Sequence, residues 1–412
     1  MQTREIKLTL PEPHSGRTMG GQKRILREMR RYNVLDCGRR FGKTDLCEII
    51  IHEPILQGYP VGWFAPTYKI LDDAWSEIKR LYAPIIKRSS DTDKVIEFIT
   101  GGMLEAWTLD KEGAGRSRKY KRIIVDEAAR VKNLIDIFNY DLRPTLIDYK
   151  GDAFFPSTPK GLNDYYKMYQ MAESDPDWMR WKMPTSENPH LALDEVEAMR
   201  SAMPEMVARQ ELDAEFLEGG AFFQNVDACC VIEAPDNPEN HKGHRFVAGL
   251  DWALSEDFSV LTVICATCGQ AVDWWRANRM DYSMQIEFIQ GVLSRWNGVV
   301  LLPERNSIGT PNIENLARRG VQMGVGPDNA LGFYTTRITK STLIMKLALV
   351  MQKNEIRLPR EYADELRSYE VEITTAASTT PKFNAPSGSH DDRVISAALA
   401  VWLASTPVQI FI

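Results

Sequence analysis

Cysteine is scarce in this chain. Of 412 residues six are cysteines, Cys37, Cys47, Cys229, Cys230, Cys265 and Cys268. That is too few for a scaffold built on disulfides, and free thiols fit a reducing compartment. Only Cys265-x-x-Cys268 has the spacing of a metal or redox pair. No second cysteine pair completes a zinc site, and the pair lies in the apolar run Val260 to Cys268, which reads as buried strand thiols. Long apolar runs are also missing. None reaches the ~18 residues of a membrane helix, and the polar, Gly- and Pro-containing stretch Met1 to Gly21 lacks the apolar core of a secretory signal. There is no internal repeat and no low-complexity tract. The net charge of −6 offers nucleic acid no global attraction, so a DNA-binding role needs local basic patches. What remains is an ordinary globular composition, 26% charged and 44% hydrophobic. At ~100–200 residues per domain the length calls for two or three domains.

The first half alternates strand and helix signals, which implies a mostly parallel α/β sheet. Tyr32 to Asp36, Val61 to Ala65, Arg122 to Val125 and Ala153 to Phe155 read as strands. Thr44 to Leu56, broken by Pro54, and Asp72 to Leu81 read as helices. Between the first strand and the first helix lies Cys37-Gly38-Arg39-Arg40-Phe41-Gly42-Lys43-Thr44. It has the form of a phosphate-binding loop, G-x-x-x-x-G-K-[ST], with Cys37 in place of the first glycine. In such a loop Gly42 lets the backbone curl, amides at the helix start face an anion, Lys43 reaches the β- and γ-phosphates and Thr44 binds Mg²⁺. The bland alternative is a basic loop capping a helix. The apolar run Ile123-Ile124-Val125 ends in Asp126-Glu127. Read beside the loop, Asp126 would hold Mg²⁺ and Glu127 would act as general base toward water; read alone, the pair is a helix cap. Arg116, Arg118, Lys119, Lys121 and Arg122 precede that strand. They form either a solvated basic loop or a source of an arginine that reaches a γ-phosphate.

From about Trp181 to Asn240 the pattern changes: Asp194 to Leu217 is acidic and helical, and Gly219-Gly220 and Ala234 to Pro238 mark a boundary. The expected domains are 1–180, 181–240 and 241–412. In the last, the strands Arg245 to Leu250, Ser259 to Cys265 and Val299 to Leu302 precede helices at Ser341 to Gln352 and Asp391 to Ala404. Acids sit at element ends: Asp251 after the first strand with Asp257 beyond it, Glu304 after the third, and Asp391-Asp392 at the opening of the last helix. Singly, Asp391 is a helix N-cap and Glu304 a loop acid. Together they can converge on one pocket and hold two Mg²⁺ or Mn²⁺ ions that cleave a phosphodiester.

With these motifs assembled, the sequence resembles the large terminase subunit of tailed bacteriophages from about Gly21 to Ser405. The resemblance implies an N-terminal P-loop ATPase, a parallel sheet with helices on both faces, and a C-terminal RNase H-like nuclease. It implies ATP and Mg²⁺ as cofactors. Cys37 to Thr44 looks like that family's arginine-containing phosphate loop, so Gly38, Arg39, Arg40, Gly42, Lys43 and Thr44 are expected at the nucleotide. Gln22 resembles its adenine-recognising glutamine; without the resemblance it reads as a surface residue. Arg116 falls at the arginine-finger position. Ser157-Thr158-Pro159 resembles the coupling motif, against the alternative of an ordinary turn. Thr185 to Pro189 and Gln210 to Phe216 look like the linker. Glu304 to Gly309 and His390 to Arg393 look like nuclease motifs, with Asp251, Glu304 and Asp391 as metal ligands and Asp392 and Asp257 as accessories. Lys340 matches a family lysine but reads as a solvated residue at a helix start. The implied partners are double-stranded DNA, a portal protein, the small terminase subunit and copies of the chain in a pentameric ring. No membrane is implied. The implied location is the host cytoplasm, transiently on the prohead portal and outside the mature virion. The alternative is a cellular DNA helicase or repair nuclease with the same two folds.

Overall fold

The computed structural model describes residues 6–110, 113–217, 222–253, 257–306, 309–372, 382–384 and 391–405. They fall into two compact units, one within 6–217 and the other within 222–405. The expected boundary after residue 180 falls inside a strand, Trp178–Met183, and residues 181–217 stay with the first unit. Gly219-Gly220, expected at a boundary, lies outside the described residues.

The first unit is built on eight strands: β1 (Tyr32–Cys37), β2 (Pro60–Ala65), β3 (Ile86–Ser90), β4 (Val95–Phe98), β5 (Met103–Thr108), β6 (Arg122–Val125), β7 (Asp152–Ser157) and β8 (Trp178–Met183). Their order across the sheet is β3-β4-β5-β2-β6-β7-β1-β8. From β5 to β8 every pair is parallel, and β3 and β4 add an antiparallel edge. The central strands read as unbroken apolar runs because helices cover both faces. Neighbouring residues send their side chains to opposite cores. Leu35, Ile124 and Phe154 pack with Leu46, Ile50 and Trp75 on one face. Val34, Ile123, Val125 and Phe155 pack with Phe138, Leu142 and Tyr165 on the other. Each such side chain contributes roughly 1.5–3 kcal/mol of burial.

Two breaks differ from the sequence reading. The helix expected over Thr44 to Leu56 is two helices, Lys43–Ile50 and His52–Leu56. Pro54 sits in the first turn of the second, where its missing N–H leaves no bond unmade, so the interruption comes before it, at Ile51. The acidic helix expected over Asp194 to Leu217 is likewise two, Leu193–Ser201 and Glu205–Glu211, with Pro204 at the N-cap of the second.

The second unit contains the short β9 (Cys230–Ile232) and a five-stranded sheet. The sheet strands are β10 (Phe246–Asp251), β11 (Ser259–Cys265), β12 (Gln270–Ala277), β13 (Val300–Pro303) and β14 (Gln322–Met323), in the order β12-β11-β10-β13-β14. β10, β11 and β12 form an antiparallel meander; β13 and β14 add in parallel to β10. The helix Asp392–Ala404 lies across β10 and β11. Buried Ser396 on that helix donates to the Gly249 carbonyl (3.0 Å) and lies 2.7 Å from the Thr262 hydroxyl. These bonds fasten the second turn of the helix to the middle of the two paired strands. Among the described residues no helix is long and apolar enough to cross a membrane.

Candidate functional sites

In the first unit β1 delivers the chain into the loop at Cys37, which is fully buried. The loop's first half is fastened to the segment after β8. Gly38 N–H donates to Met183 O (2.8 Å) and Arg39 N–H to Glu211 O (2.7 Å). Thr185 Oγ1 donates to Arg39 O (2.6 Å), and Asn188 Nδ2 donates to Arg40 O (2.7 Å). Arg39 also pairs with Glu211. A Cβ on Gly38 would stand 2.3 Å from Leu212 O, so only glycine fits there. The stretches that resembled a linker therefore brace the phosphate loop. At the other end Gly42 takes φ 98 as the N-cap of Lys43–Ile50, a left-handed turn that glycine adopts without strain. It aims the first helical amides outward, and Thr44 is exposed beside them.

Gln22 is not a surface residue. It is 2% exposed, accepts from His14 N–H (3.0 Å) and donates to Gly42 O (2.8 Å). A polar letter in an amphipathic N-terminal helix gives no sign that its amide turns inward to hold the loop.

β7 lies between β1 and β6, so one strand separates the strand that ends at Asp126 from the strand that feeds the loop. The interposed strand ends in Ser157-Thr158, and Lys43 Nζ donates to Thr158 Oγ1 (2.9 Å). Ser157 Oγ accepts from Ala129 N–H (3.1 Å). The stretch from Lys43 through Thr158 and Ser157 to the turn after Asp126 is thus one connected set of hydrogen bonds. Asp126 is 5% exposed, and burial followed by the Glu127 carboxylate pushes it up to about 7. Glu127 stands in the left-handed region at φ 48, rare for a residue with a side chain. Its Oε2 lies 3.5 Å from Arg130 Nε.

Arg116 does not extend freely. Its Nε donates to Asp141 (2.6 Å), on the wall of a cavity of about 580 Å³ that Arg130 also lines. Asp141 carries no motif, and nothing in the sequence announced it. Arg118 stands over the Trp107 ring and 3.4 Å from Glu105.

Glu48, on the phosphate-loop helix, is 1% exposed and neither carboxylate oxygen has a hydrogen-bond partner. Burial, then Glu77 and Asp45, push it up to about 8. The folded state therefore holds this proton more tightly than the unfolded chain does. Its contribution to stability is complete below the unfolded value near 4.5 and is lost as pH rises toward about 8. Glu48→Gln is expected to stabilise the fold at about pH 9, by roughly a few kcal/mol at most, and so to raise the thermal midpoint there while changing little at about pH 5. Thermal melts at the two pH values check it; an equal effect at both would mean that the carboxylate does not titrate.

In the second unit β10 and β13 run parallel with Leu250 opposite Pro303, so Asp251 and Glu304 emerge side by side. Asp251 is 8% exposed. Its proton is held well above the usual carboxylate range by burial, then by the Glu304 carboxylate, with which it shares a hydrogen bond, and by Asp392 and Asp391. Asp392, also buried, is pushed up to about 6 by burial and neighbouring acids that include Asp257. Asp391 occupies the N-cap position, yet its side chain makes no cap hydrogen bond. It accepts instead from Lys340 Nζ at 2.8 Å. Lys340 is thus part of the acidic cluster, contrary to the sequence reading of a solvated lysine; the helix Arg337–Gln352 begins earlier than expected and places it there. The four acids from two strands and one helix do converge. Ser307, Ile308 and His390 of the two flanking motifs lie outside the described residues. Glu365, on the helix Ala363–Ser368, was missed; it binds Arg393 N–H (2.9 Å) and guanidinium (3.0 Å), drawing that cation's charge aside.

Carboxylates crowded this closely repel one another, and a multivalent cation is what relieves it. Hard oxygen donors suit Mg²⁺ or Mn²⁺, so the residues present fit such ions.

These two units define a class: a P-loop-type parallel α/β unit with an extra strand between loop and acids, joined to an RNase H-like unit with an acidic cluster at a strand edge. No family model matches the chain. The large terminase subunit of Thermus virus P23-45 is 27% identical over 307 residues, 68% of this chain and 60% of that protein. That of Escherichia phage T5 is 28% identical over 243 residues, 55% of this chain and 54% of that one. The matched part thus spans little more than half of these curated relatives. The solved large terminase of a thermophilic bacteriophage is 13% identical, with TM-score 0.53 over 93% of this chain and 95% of its own. The chain is similar to phage large terminase subunits, as its motifs suggested, and shares their fold.

Proposed function

We propose that this chain is the motor and nuclease subunit of a phage DNA-packaging machine. ATP hydrolysis in the first unit drives double-stranded DNA into a prohead, and the second unit cuts concatemeric DNA at initiation and termination. One observation carries the reading. A phosphate loop whose lysine touches the Ser157-Thr158 strand end shares a chain with a cluster of four carboxylates at an RNase H-like sheet edge.

The loop amides and Lys43 would hold the β- and γ-phosphates, with Gly38, Arg39 and Arg40 shaping the approach and Gln22 bracing the loop. Thr44 and Asp126 would hold the accompanying Mg²⁺. Glu127 takes the proton of the attacking water, and its turn is fixed through Ala129 N–H to Ser157. Ser157 and Thr158 relay phosphate loss along β7. Arg116 is the candidate finger, acting on a neighbouring copy once released from Asp141. In the second unit Asp251, Glu304 and Asp391, with Asp392, would hold Mg²⁺ or Mn²⁺, ions that activate water and stabilise a leaving phosphodiester oxygen when bound. Lys340 balances the cluster's charge.

The partners in this reading are double-stranded DNA, the portal protein, the small terminase subunit and further copies of the chain, assembled as a pentamer on the portal, in the host cytoplasm. The test is ATP-dependent protection of linear DNA inside empty proheads that carry their portal. DNA left fully open to nuclease, with ATP turnover intact, would favour a cellular helicase or repair nuclease.

A further inference from the structure

Away from the acidic cluster, the second unit gathers four metal-ligand side chains. Phe246, the first residue of β10, pairs with Cys265, the last of β11. The chain entering β10 therefore meets the chain leaving β11 at one end of the sheet. Entering are His241, at the end of a short helical turn, and His244, whose N–H bonds His241 O (3.0 Å). Leaving are Cys265 and, in the tight turn before β12, Cys268; Gly269 N–H closes the turn on Cys265 O (2.9 Å). One ligand atom from each of the four residues lies within 4.8 Å of all the others. Cys265 Sγ stands 3.3 Å from His244 Nδ1, and Cys268 Sγ 3.7 Å from His241 Nδ1. A tetrahedral zinc with bonds of ~2.3 Å to sulfur and ~2.05 Å to nitrogen spaces those atoms about 3.6 Å apart.

The far side of the imidazole is prepared as well. His241 Nε2 lies 3.1 Å from Asp236 Oδ2. Asp236 in turn accepts from Gln270 Nε2 (3.0 Å), Asn240 Nδ2 (2.7 Å) and Asn237 N–H (2.7 Å). A carboxylate so held keeps the proton on Nε2 and leaves Nδ1 as a lone pair aimed at the two sulfurs, the usual support for a metal-bound histidine. A dithiol that merely cycles to a disulfide would need neither histidine nor Asp236.

We propose that His241, His244, Cys265 and Cys268 bind one zinc ion. Four protein ligands fill the tetrahedron and leave no open position, which makes the ion structural. It clamps the entry of β10 to the β11–β12 turn. β10 runs from this end to Asp251 at the other, so the zinc is separate from the carboxylate site. A second cysteine pair is not part of the site: its other half is His241-x-x-His244, which opens the expected 241–412 domain just after the boundary stretch Ala234 to Pro238.

The experiment measures metal in the full chain, purified with reductant and without chelator. The expected result is one zinc per chain, lost in Cys268→Ser and in His244→Ala and kept in Asp251→Asn. Cobalt(II) exchanged into the parent should give thiolate charge-transfer and tetrahedral ligand-field bands. Asp236→Asn should keep those bands and weaken the affinity by ~10–100-fold. Cys268 is exposed, so its serine variant should stay folded, and circular dichroism verifies that. Three outcomes would overturn the proposal. One is a chain that stays zinc-free after reduction and incubation with Zn²⁺. Another is zinc that leaves with Asp251→Asn and survives Cys268→Ser. The third is a Cys265–Cys268 disulfide whose reduction restores no metal binding.

Discussion

Asp251→Asn is expected to leave supercoiled plasmid uncut while ATP turnover continues at the parental rate. The buried carboxylate sits among Glu304, Asp391 and Asp392, and its charge is repelled by all three. The amide removes a hard, charged oxygen donor from the cluster, so closely spaced divalent ions lose the negative charge that holds them. Cleavage should fall at least ~10³-fold, about 4 kcal/mol of barrier, and added Mn²⁺ should restore part of it. In metal-free buffer the variant should melt no lower than the parent, because a repelled buried carboxylate is gone. Phosphate loop and acidic cluster lie in different compact units, so packaging of linear DNA should also survive. Loss of cleavage, ATP turnover and packaging together would sink the two-site account; retained cleavage would move the metal site elsewhere.

The second large effect separates Lys43 from Glu127. Glu127→Gln keeps the size of the side chain and loses the base, so turnover should drop ~10²–10⁴-fold with ATP still bound. Lys43→Ala should abolish turnover and weaken binding too, since it deletes the cation facing the phosphates and leaves Thr158 Oγ1 without its donor. Single-turnover hydrolysis beside nucleotide-binding titrations distinguishes the two. Normal hydrolysis by Glu127→Gln would remove that residue from the mechanism.

Strands carrying continuous apolar runs were legible in the sequence: Arg122–Val125 and Ser259–Cys265 have the bounds read from their letters. The acids at strand ends were legible for the same reason, because a charge that stops an apolar run stands at a sheet edge. What stayed hidden depends on chain pairing rather than local pattern. β3 and β4 form a sheet edge with exposed positions, and Ile86–Ser90 shows no alternation that marks it. The place of β7 between β1 and β6 is a matter of strand order, which no local signal encodes. Gln22, Asp141 and Lys340 are polar residues whose partners lie far along the chain, so each looks like surface until the fold supplies its contact.

The bond from Lys43 to Thr158 ties the loop's lysine to the end of a neighbouring strand. A γ-phosphate that claims the ammonium must take it from the threonine or share it. In the proposed function, arrival and departure of that phosphate would register at the end of β7 as the release and recapture of a single donor. In that reading the lysine would act as the clapper of a bell: a nucleotide would swing it, and Thr158 is where it comes to rest.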